Sequence, residues 1–256
     1  MKPYQAIIFD LFNTLVHWNP EKLPTFLWEE KALKSTNLKT YRELGEYCRL
    51  FSFEKYHKAC TEVISEITKK KSKESIEISC VERFKTILLQ LNVSEPDTLG
   101  QLATRLASCH MKLLANATTA SQSQILQIKK LKNEYKLGLL SNFDDAQTAR
   151  RVLKEKKLEP LFSSIIISDE VGIRKPAPDI FSVALNSLEI EARATLFVGD
   201  SWEEDIVGAA KFGMDSVWIN PNRTSPEERR IKHPFKKNIF CIPSVQKLSK
   251  LIEQLT

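Results

Sequence analysis

The sequence predicts an α/β fold in which a doubly wound parallel sheet is interrupted near its start by an all-helical insertion. Two observations lead to this prediction. Short apolar runs that end in polar residues alternate with amphipathic helical patterns in the second half of the chain, as repeated βα units do. A further apolar run, residues 6–9, is separated from the others by residues 17–117, in which no clear strand pattern occurs.

The first predicted strand ends at Asp10. Its apolar residues are typical of a buried strand, and the Asn13-Thr14 pair that follows favours a tight turn, because Asn tolerates the left-handed backbone conformation. Ligands of open parallel sheets bind at the carboxyl ends of the strands. Asp10 is therefore a candidate nucleophile or metal ligand, and a carboxylate that only caps the turn is the alternative.

The insertion, residues 17–117, shows a succession of amphipathic helical patterns. The segment 40–43 (Thr-Tyr-Arg-Glu) has the spacing of a capping box, residues 81–91 form a second helical segment, and residues 94–97 begin a third that continues to about residue 115. Arg42 and Arg49 are seven residues apart and are predicted to share one helix face. They could bind an anionic substrate or form a solvated surface.

From residue 121 onward, helices and strands alternate. Strands are predicted at 136–142, 163–168, 194–200 and 216–219. Helices are predicted at 124–133, at 146–156, after the segment 174–181, at 203–212 and at 243–255. Polar residues stand where these strands end or these helices begin: Asp10 with Thr14, Ser141 with Asn142, Lys175, and Asp200 with Asp205. Since the carboxyl ends of parallel strands share one edge of the sheet, these groups are expected to meet in one crevice.

This order of motifs resembles the haloacid dehalogenase (HAD) superfamily, which consists mostly of phosphotransferases and phosphatases and includes the true dehalogenases. The matching motifs are Phe-Asp-Leu-Phe-Asn-Thr at 9–14, Leu-Ser-Asn at 140–142, Lys-Pro at 175–176, and Gly-Asp-Ser-Trp-Glu-Glu-Asp at 199–205 followed by Gly-Ala at 208–209. The resemblance covers residues 1–16 and 118–222. It implies a Rossmann-like core of residues 1–16 and 118–256, with residues 17–117 as a helical cap domain.

The resemblance also implies roles for the catalytic residues. Asp10 would be the nucleophile that forms a covalent aspartyl intermediate, with Thr14 beside it. Ser141 would hydrogen-bond the transferring group, Asn142 would contact the substrate, and Lys175 would neutralise charge on Asp10 and the substrate. A dianionic phosphoryl group approaches a carboxylate only when their repulsion is offset by such positive charge.

A Mg²⁺ cofactor is implied by the same resemblance. Asp10, Asp200 and the backbone carbonyl of Phe12 would hold the ion, and Asp205 would be a further ligand or would support the ligands. Two carboxylates and a carbonyl suit Mg²⁺, which prefers oxygen ligands in octahedral geometry and usually keeps several waters.

Phe12 departs from the pattern of the superfamily's phosphatases, which carry a second carboxylate at this position as general acid and base. A phenylalanine cannot transfer protons, and general acid-base catalysis typically contributes ~10²–10⁴-fold. Ordinary phosphomonoesterase activity is therefore expected to be weak unless the leaving group is good, another group substitutes or the substrate helps.

Three alternatives to a phosphatase stay open. A 2-haloacid dehalogenase would accept an aromatic residue at Phe12, and residues 41–47 are similar to the cap segment that supplies an arginine there, but those enzymes need no metal and Asp200 would repel a carboxylate substrate. A phosphonatase would fit Phe12 and Asp200 but requires a cap lysine that the sequence does not single out. The third alternative is a catalytically weak binding protein. We expect a Mg²⁺-dependent phosphatase that acts on a small phosphorylated metabolite, because Asp200 is a metal-type residue.

Composition limits the class of protein. The 256 residues are 42% hydrophobic, enough for one large domain or a core with an inserted module. No apolar run approaches the ~18 residues of a membrane span, and Asp10 interrupts the apolar N-terminus, so a soluble, cytoplasmic protein is expected. The net charge of +6 comes largely from runs at 69–73 and 229–237 without a nucleic-acid-binding signature. The expected partner is a small anionic molecule, with neither nucleic acid nor a membrane, and the oligomeric state stays open.

Overall fold

The computed structural model describes residues 4–221 and 237–255, so most of the basic run at 229–237 lies outside the described residues. The strands are β1 (Ala6–Phe9), β2 (His17–Trp18), β3 (Thr25–Trp28), β4 (Lys31–Lys34), β5 (Thr118–Thr119), β6 (Lys136–Ser141), β7 (Ser164–Ile167), β8 (Thr195–Gly199), β9 (Asp215–Ile219) and β10 (Ile239–Ile242). The α-helices are α1 (Asn37–Glu43), α2 (Phe53–Glu74), α3 (Cys80–Gln90), α4 (Pro96–Asn116), α5 (Gln122–Lys132), α6 (Ala146–Glu155), α7 (Ser168–Val171), α8 (Pro178–Leu188) and α9 (Gly208–Phe212), with a closing helix at Leu248–Gln254.

A six-stranded parallel sheet forms the centre of the molecule, in the order β10-β9-β8-β1-β6-β7. Its central strand β1 is apolar on both faces because both are buried: Ile7 and Phe9 belong to one hydrophobic cluster, and Ala6 and Ile8 belong to the cluster on the other face. The predicted doubly wound α/β fold is confirmed. Because β1 lies between β6 and β8, the residues that follow these three strands are neighbours at one edge.

Strand β10 extends the sheet beyond the predicted strands. Its four residues pair in parallel with residues 216–219 of β9. A four-residue apolar run carries little periodic signal, so the sequence pattern did not single it out. The helix predicted at 203–212 begins instead with a π-helical segment, Trp202–Val207, which continues into α9.

The prediction that the insertion is all-helical is wrong in one part, because β3 and β4 form an antiparallel hairpin. Its two turn residues, Glu29 and Glu30, have φ angles of 47° and 64°. Such a turn usually carries Asn or Gly, so a Glu-Glu pair gave no hairpin signal. Phe26 anchors the hairpin by packing edge-on against Phe53, with 5.1 Å between ring centroids.

Two further details of the insertion differ from the prediction. Thr40 does not cap a helix: it lies inside α1, and its hydroxyl donates to the backbone carbonyl of Asn37 at 3.1 Å. The long helix α2 was not predicted, although it supplies Tyr56 and Val63 to the hydrophobic cluster that α2, α3 and α4 share. The insertion therefore has its own core, and Phe143 of the sheet domain packs against that core as well as against its own.

Among the residues described, no helix combines the length and the apolar character needed to cross a bilayer.

Candidate active site

Four strand ends and loops bring the predicted polar residues together. Asp10 follows β1, Ser141 ends β6, Asp200 follows β8, and Lys175 lies in the loop before α8. The side chains of Lys175 and Asp10 are in direct contact, and a side-chain oxygen of Asp10 lies close to oxygens of Asp200 and Asp205. Asp10, Lys175, Asp200 and Asp205 therefore meet at the carboxyl edge of the sheet.

The turn after Asp10 directs the backbone around this carboxylate. Asn13 has a φ angle of 63°, as its short polar side chain allows. The amides of Leu15 and Val16 both donate to the carbonyl of Leu11, at 2.8 and 2.9 Å. The turn places the buried Thr14 hydroxyl 3.4 Å from Oδ1 of Asp200, so Thr14 contacts the second carboxylate of the site.

Lys175 is buried at the centre of the cluster, with 1% of its side chain exposed. Its Nζ donates to Oδ1 of Asp10 at 2.8 Å, to Oδ1 of Asp205 at 2.7 Å and to the carbonyl of Leu140 at 2.8 Å. Burial alone would lower the pKa of this ammonium, but the two carboxylates outweigh it and raise the pKa. Lys175 is therefore a fixed positive charge beside Asp10.

Asn142 holds the loop that carries Lys175. Its Nδ2 donates to the carbonyl of Lys175 at 2.9 Å, and its Oδ1 accepts from the amide of Lys175 at 2.8 Å. Both ends of this side-chain amide thus hydrogen-bond the backbone of the lysine. The sequence did not predict the hydrogen bonds between Asn142 and Lys175, nor the one from Lys175 to the carbonyl of Leu140. These contacts depend on how two segments that are distant in sequence meet in the fold.

The carboxylates of Asp10, Asp200 and Asp205 form a group that could hold a metal ion. One oxygen of each lies within 4.8 Å of the others. Oδ2 of Asp10 is buried without a hydrogen-bond partner in the described part of the chain, whereas Oδ2 of Asp205 accepts the amide of Ser201 at 2.9 Å. A buried carboxylate oxygen without a partner, next to other carboxylates, fits a hard divalent cation.

Gly199 is needed for this arrangement. A Cβ at this position would overlap the carboxylate of Asp205. The glycine that ends β8 therefore lets Asp205 approach the sheet edge and reach Lys175.

The pKa values of two of these carboxyls are raised. Burial, followed by the charge of Asp10, raises the pKa of Asp200 to about 6. Burial raises the pKa of Asp205 to about 7, with Asp10 adding to the effect and Lys175 opposing it. Close carboxylates in a desolvated site repel each other, and a bound cation would relieve that repulsion.

In chelator at pH 8, Asp200→Asn is expected to melt at a higher temperature than the wild-type protein. The pKa of Asp200 is raised from 3.8 to about 6 by folding, so its ionised form costs stability. The loss of stability is absent below pH 3.8, the ordinary pKa of this carboxyl, where the group is protonated in both the folded and the unfolded protein. It grows as the pH rises towards 6 and reaches its full size above pH 6. Each kcal/mol relieved raises Tm by roughly 2–4 °C, as thermal unfolding at pH 4 and pH 8 will measure.

With Mg²⁺ added, the wild-type protein is expected to melt at a higher temperature than Asp200→Asn, because only the wild-type protein gains the binding free energy of the ion. Glu203→Gln, two residues from the cluster, is the matched control and should respond to Mg²⁺ as the wild type does. An equal Mg²⁺ response in Asp200→Asn and wild type would show that Asp200 does not hold the ion.

Phe12 lies in an aromatic cluster with Trp18 and Phe143. Its ring stacks on Trp18 with 4.8 Å between centroids and an interplanar angle of 9°, and on Phe143 at 4.4 Å and 30°. Phe12 is 9% exposed, so the ring is buried, and it offers no titratable group at this position. Asn13 and His17, which flank this turn, are exposed. Trp18 and Phe143 were not predicted to join Phe12, since they come from β2 and from the loop after β6.

Arg42 and Arg49 do not share a helix face, so that prediction is wrong. Arg42 lies in α1, and Arg49 ends a separate 3₁₀ segment, Gly45–Arg49. Gly45, the first residue of the 3₁₀ segment, has a φ angle of 63°, and this left-handed conformation interrupts the helix. Both arginines are exposed on the surface of the insertion.

Comparison with known proteins supports the assignment of a hydrolase. The family model described as "haloacid dehalogenase-like hydrolase" matches residues 4–213. N-acylneuraminate-9-phosphatase from Homo sapiens is 26% identical over 254 residues, which cover 94% of this chain and 93% of that protein. The pyrimidine 5'-nucleotidase YjjG from Escherichia coli is 30% identical over 148 residues, or 57% of this chain and 61% of that one.

The fold also has close likenesses among solved structures. The crystal structure of a 2-haloacid dehalogenase from Pseudomonas syringae pv. Tomato DC3000 superposes with a TM-score of 0.70 at 19% identity. The match covers 99% of this chain and 100% of that chain, so the likeness in fold extends over the sheet and the insertion.

Proposed function

Because the chain belongs to the haloacid dehalogenase-like hydrolase family, we propose that it is a Mg²⁺-dependent phosphatase that acts on a small phosphorylated metabolite. The observation that carries the proposal is the buried contact between Asp10, Lys175 and two further carboxylates at the end of β8. The names of the human and Escherichia coli relatives, an N-acylneuraminate-9-phosphatase and a pyrimidine 5'-nucleotidase, support a small phosphate ester as substrate.

Asp10 is the proposed nucleophile. Lys175 donates to Oδ1 of Asp10 at 2.8 Å and so orients the carboxylate that attacks phosphorus. A carboxylate oxygen of Asp10 forms the new bond to phosphorus as the bond to the leaving oxygen breaks, and the leaving oxygen takes a proton from solvent. Water then hydrolyses the aspartyl phosphate, which releases phosphate, regenerates the Asp10 carboxylate and returns a proton to solvent. Covalent catalysis of this kind divides one difficult displacement into two easier ones.

Ser141 and Lys175 are the proposed stabilisers of the transferring group. The hydroxyl of Ser141 is buried and has no hydrogen-bond partner in the described structure, so its donor is available to a phosphoryl oxygen. The ammonium of Lys175 offsets the repulsion between Asp10 and an incoming dianion. Groups fixed in this way before the reaction stabilise developing charge without reorganisation.

Asp10, Asp200 and the carbonyl of Phe12 are the proposed holders of Mg²⁺. The ion would supply positive charge that lets a dianionic phosphoryl group approach the nucleophile. Asp205 is better placed to support than to bind, because one of its oxygens is paired with Lys175 and the other with the amide of Ser201. This arrangement keeps the lysine directed at Asp10.

Dehalogenation is the second candidate, and the stacked ring of Phe12 is the observation that favours it. A C–halogen bond breaks without protonation of the leaving group, so a halide needs no acid at this position. The raised pKa values of Asp200 and Asp205 count against it, because a carboxylate substrate would add further negative charge. The phosphatase remains the better supported reaction.

Phosphate release from a panel of phosphate esters and one acyl phosphate, in Mg²⁺ or in chelator, tests the proposal. We expect release that requires Mg²⁺, with chloride release from 2-chloropropionate measured in parallel. Chloride release that is indifferent to chelator would replace the phosphatase by a dehalogenase. If neither phosphate nor chloride is released, a phosphonatase or a binding protein remains, and an assay of phosphonate cleavage would distinguish those two.

We also propose that the enzyme acts in the cytoplasm. All five cysteines are free, at positions 48, 60, 80, 109 and 241, which suits a reducing compartment.

A further inference from the structure

The connection between α2 and α3 crosses from the insertion to the loop that precedes Lys175. Residues 75–77, here named the bridge segment, lie antiparallel to residues 172–174, and Ile76 pairs with Ile173. The amide of Glu77 donates to the carbonyl of Gly172 at 2.9 Å, and the amide of Arg174 donates to the carbonyl of Ser75 at 3.0 Å. The insertion thus forms backbone hydrogen bonds with the residue next to the proposed catalytic lysine.

The side chain of Glu77 reinforces this contact from a buried position, with 1% of the side chain exposed. Its Oε2 accepts from the hydroxyl of Ser168 at 2.6 Å and from Nη1 of Arg174 at 3.4 Å. Its Oε1 pairs with Lys71 of α2 at 2.6 Å. A buried carboxylate with these partners is satisfied, and such a network has one geometry rather than many.

Arg174 continues the network to the other side of the site. Its Nη2 donates to Oε1 of Glu204 at 2.8 Å, and Glu204 immediately precedes Asp205. Arg174 itself immediately precedes Lys175. The contacts that begin at Glu77 therefore reach Arg174 and Glu204. These two residues directly precede Lys175 and Asp205, the partners of the buried ion pair.

We propose that Glu77 and Arg174 are positioning residues through which the insertion holds Lys175 in reach of Asp10. The inference rests on the proposed function, which gives Lys175 its role, and it names the contacts that hold the lysine in place. The lysine has a flexible four-carbon side chain, and its Nζ must meet three acceptors at 2.7–2.8 Å. Asn142 fixes the backbone of Lys175 from the sheet, and the bridge segment fixes Arg174 from the insertion.

Glu77→Ala is the variant that tests the proposal, because it leaves its two cationic partners with other contacts. Arg174 keeps Glu204 at 2.8 Å, and Lys71 keeps Asp144 at 3.6 Å. The first readout is hydrogen exchange of the amides of residues 172–175 in the substrate-free protein. The second is kcat for Mg²⁺-dependent phosphate release. We expect faster exchange and a kcat lowered by roughly 10- to 10²-fold with KM little changed, since small misplacements of catalytic groups have effects of that order.

Two further variants separate positioning from general stability. Glu77→Gln keeps an acceptor for Ser168 and Arg174, and we expect it to restore most of both readouts. Arg83→Met removes another ion pair between the insertion and the sheet domain, with Asp144 at 3.3 Å, without touching residues 172–174. It should lower Tm while both readouts stay close to the wild-type values.

Three outcomes would overturn the proposal: unchanged exchange in Glu77→Ala, an unchanged kcat despite faster exchange, or an equal loss of kcat in Arg83→Met. Failure of the proposed function has a different signature, because the wild-type protein would then release no phosphate. In that case the exchange measurement still decides whether the bridge segment holds the loop.

Discussion

Asp10→Asn is expected to lower kcat for phosphate release by roughly 10⁴–10⁶-fold, the order found when a covalent nucleophile is removed. The amide has nearly the shape of the carboxylate but cannot form an acyl-phosphate bond. The fold should survive, because Lys175 keeps its partner Asp205 at 2.7 Å. Loss of the Asp10 charge also removes one cause of the raised pKa values of Asp200 and Asp205. Initial rates at saturating substrate and Mg²⁺, with Tm measured alongside, test this.

Asp215→Asn is the matched control for Asp10→Asn. Asp215 begins β9, so it lies at the opposite edge of the sheet, where it accepts a hydrogen bond from the hydroxyl of Tyr4 at 2.9 Å. The variant should lose stability rather than activity. Activity of Asp10→Asn within about tenfold of the wild type, a barrier change of only ~1.4 kcal/mol, would mean that another group attacks the substrate.

The sequence was sufficient to predict the sheet and the set of charged groups at its edge, because both follow from simple patterns. Apolar strands buried on both faces are continuous apolar runs, and ligands bind where such strands end. The contact of Lys175 with Asp10 spans 165 residues, yet it follows once their strand and loop ends share one edge. The insertion was predicted less well, because the hairpin turn at Glu29 and Glu30 lacks the usual turn residues.

The sequence predicted which residues lie at the edge of the sheet better than it predicted the hydrogen-bond partners of their side chains. The hydrogen bonds between both ends of the Asn142 amide and the backbone of Lys175 were not predicted. The bridge segment gave no signal at all, because the importance of Glu77 depends on Ser168 and Arg174, which are distant in sequence. Pattern analysis finds residues whose type is unusual for their place, and a glutamate between two helices is not unusual.

Phe12→Asp is expected to raise kcat/KM for phosphate esters with poor leaving groups by ~10²–10⁴-fold, the usual contribution of a general acid. An ester oxygen with a high pKa must be protonated as it leaves, whereas the carboxylate released from an acyl phosphate needs no proton. The gain should therefore be large for an alkyl phosphate and close to zero for an acyl phosphate. A carboxyl at this buried position, near Asp10, would have a raised pKa, as an acid that is active at neutral pH requires.

Phe12→Asn is the matched control, because it makes the same cavity between Trp18 and Phe143 but has no proton to transfer. Both variants lose the stacking, and removing a buried aromatic ring typically costs about 3–5 kcal/mol, so Tm must be measured for each. Because both variants lose the stacking, the ratio of their rates reports only the effect of the proton that the aspartic acid can transfer. Equal rates of Phe12→Asp and Phe12→Asn on alkyl phosphates would show that Phe12 does not face the leaving group, and the acid would have to come from the insertion. A higher rate for Phe12→Asp on alkyl phosphates alone would mean that the wild-type site is suited to substrates whose leaving group departs without protonation.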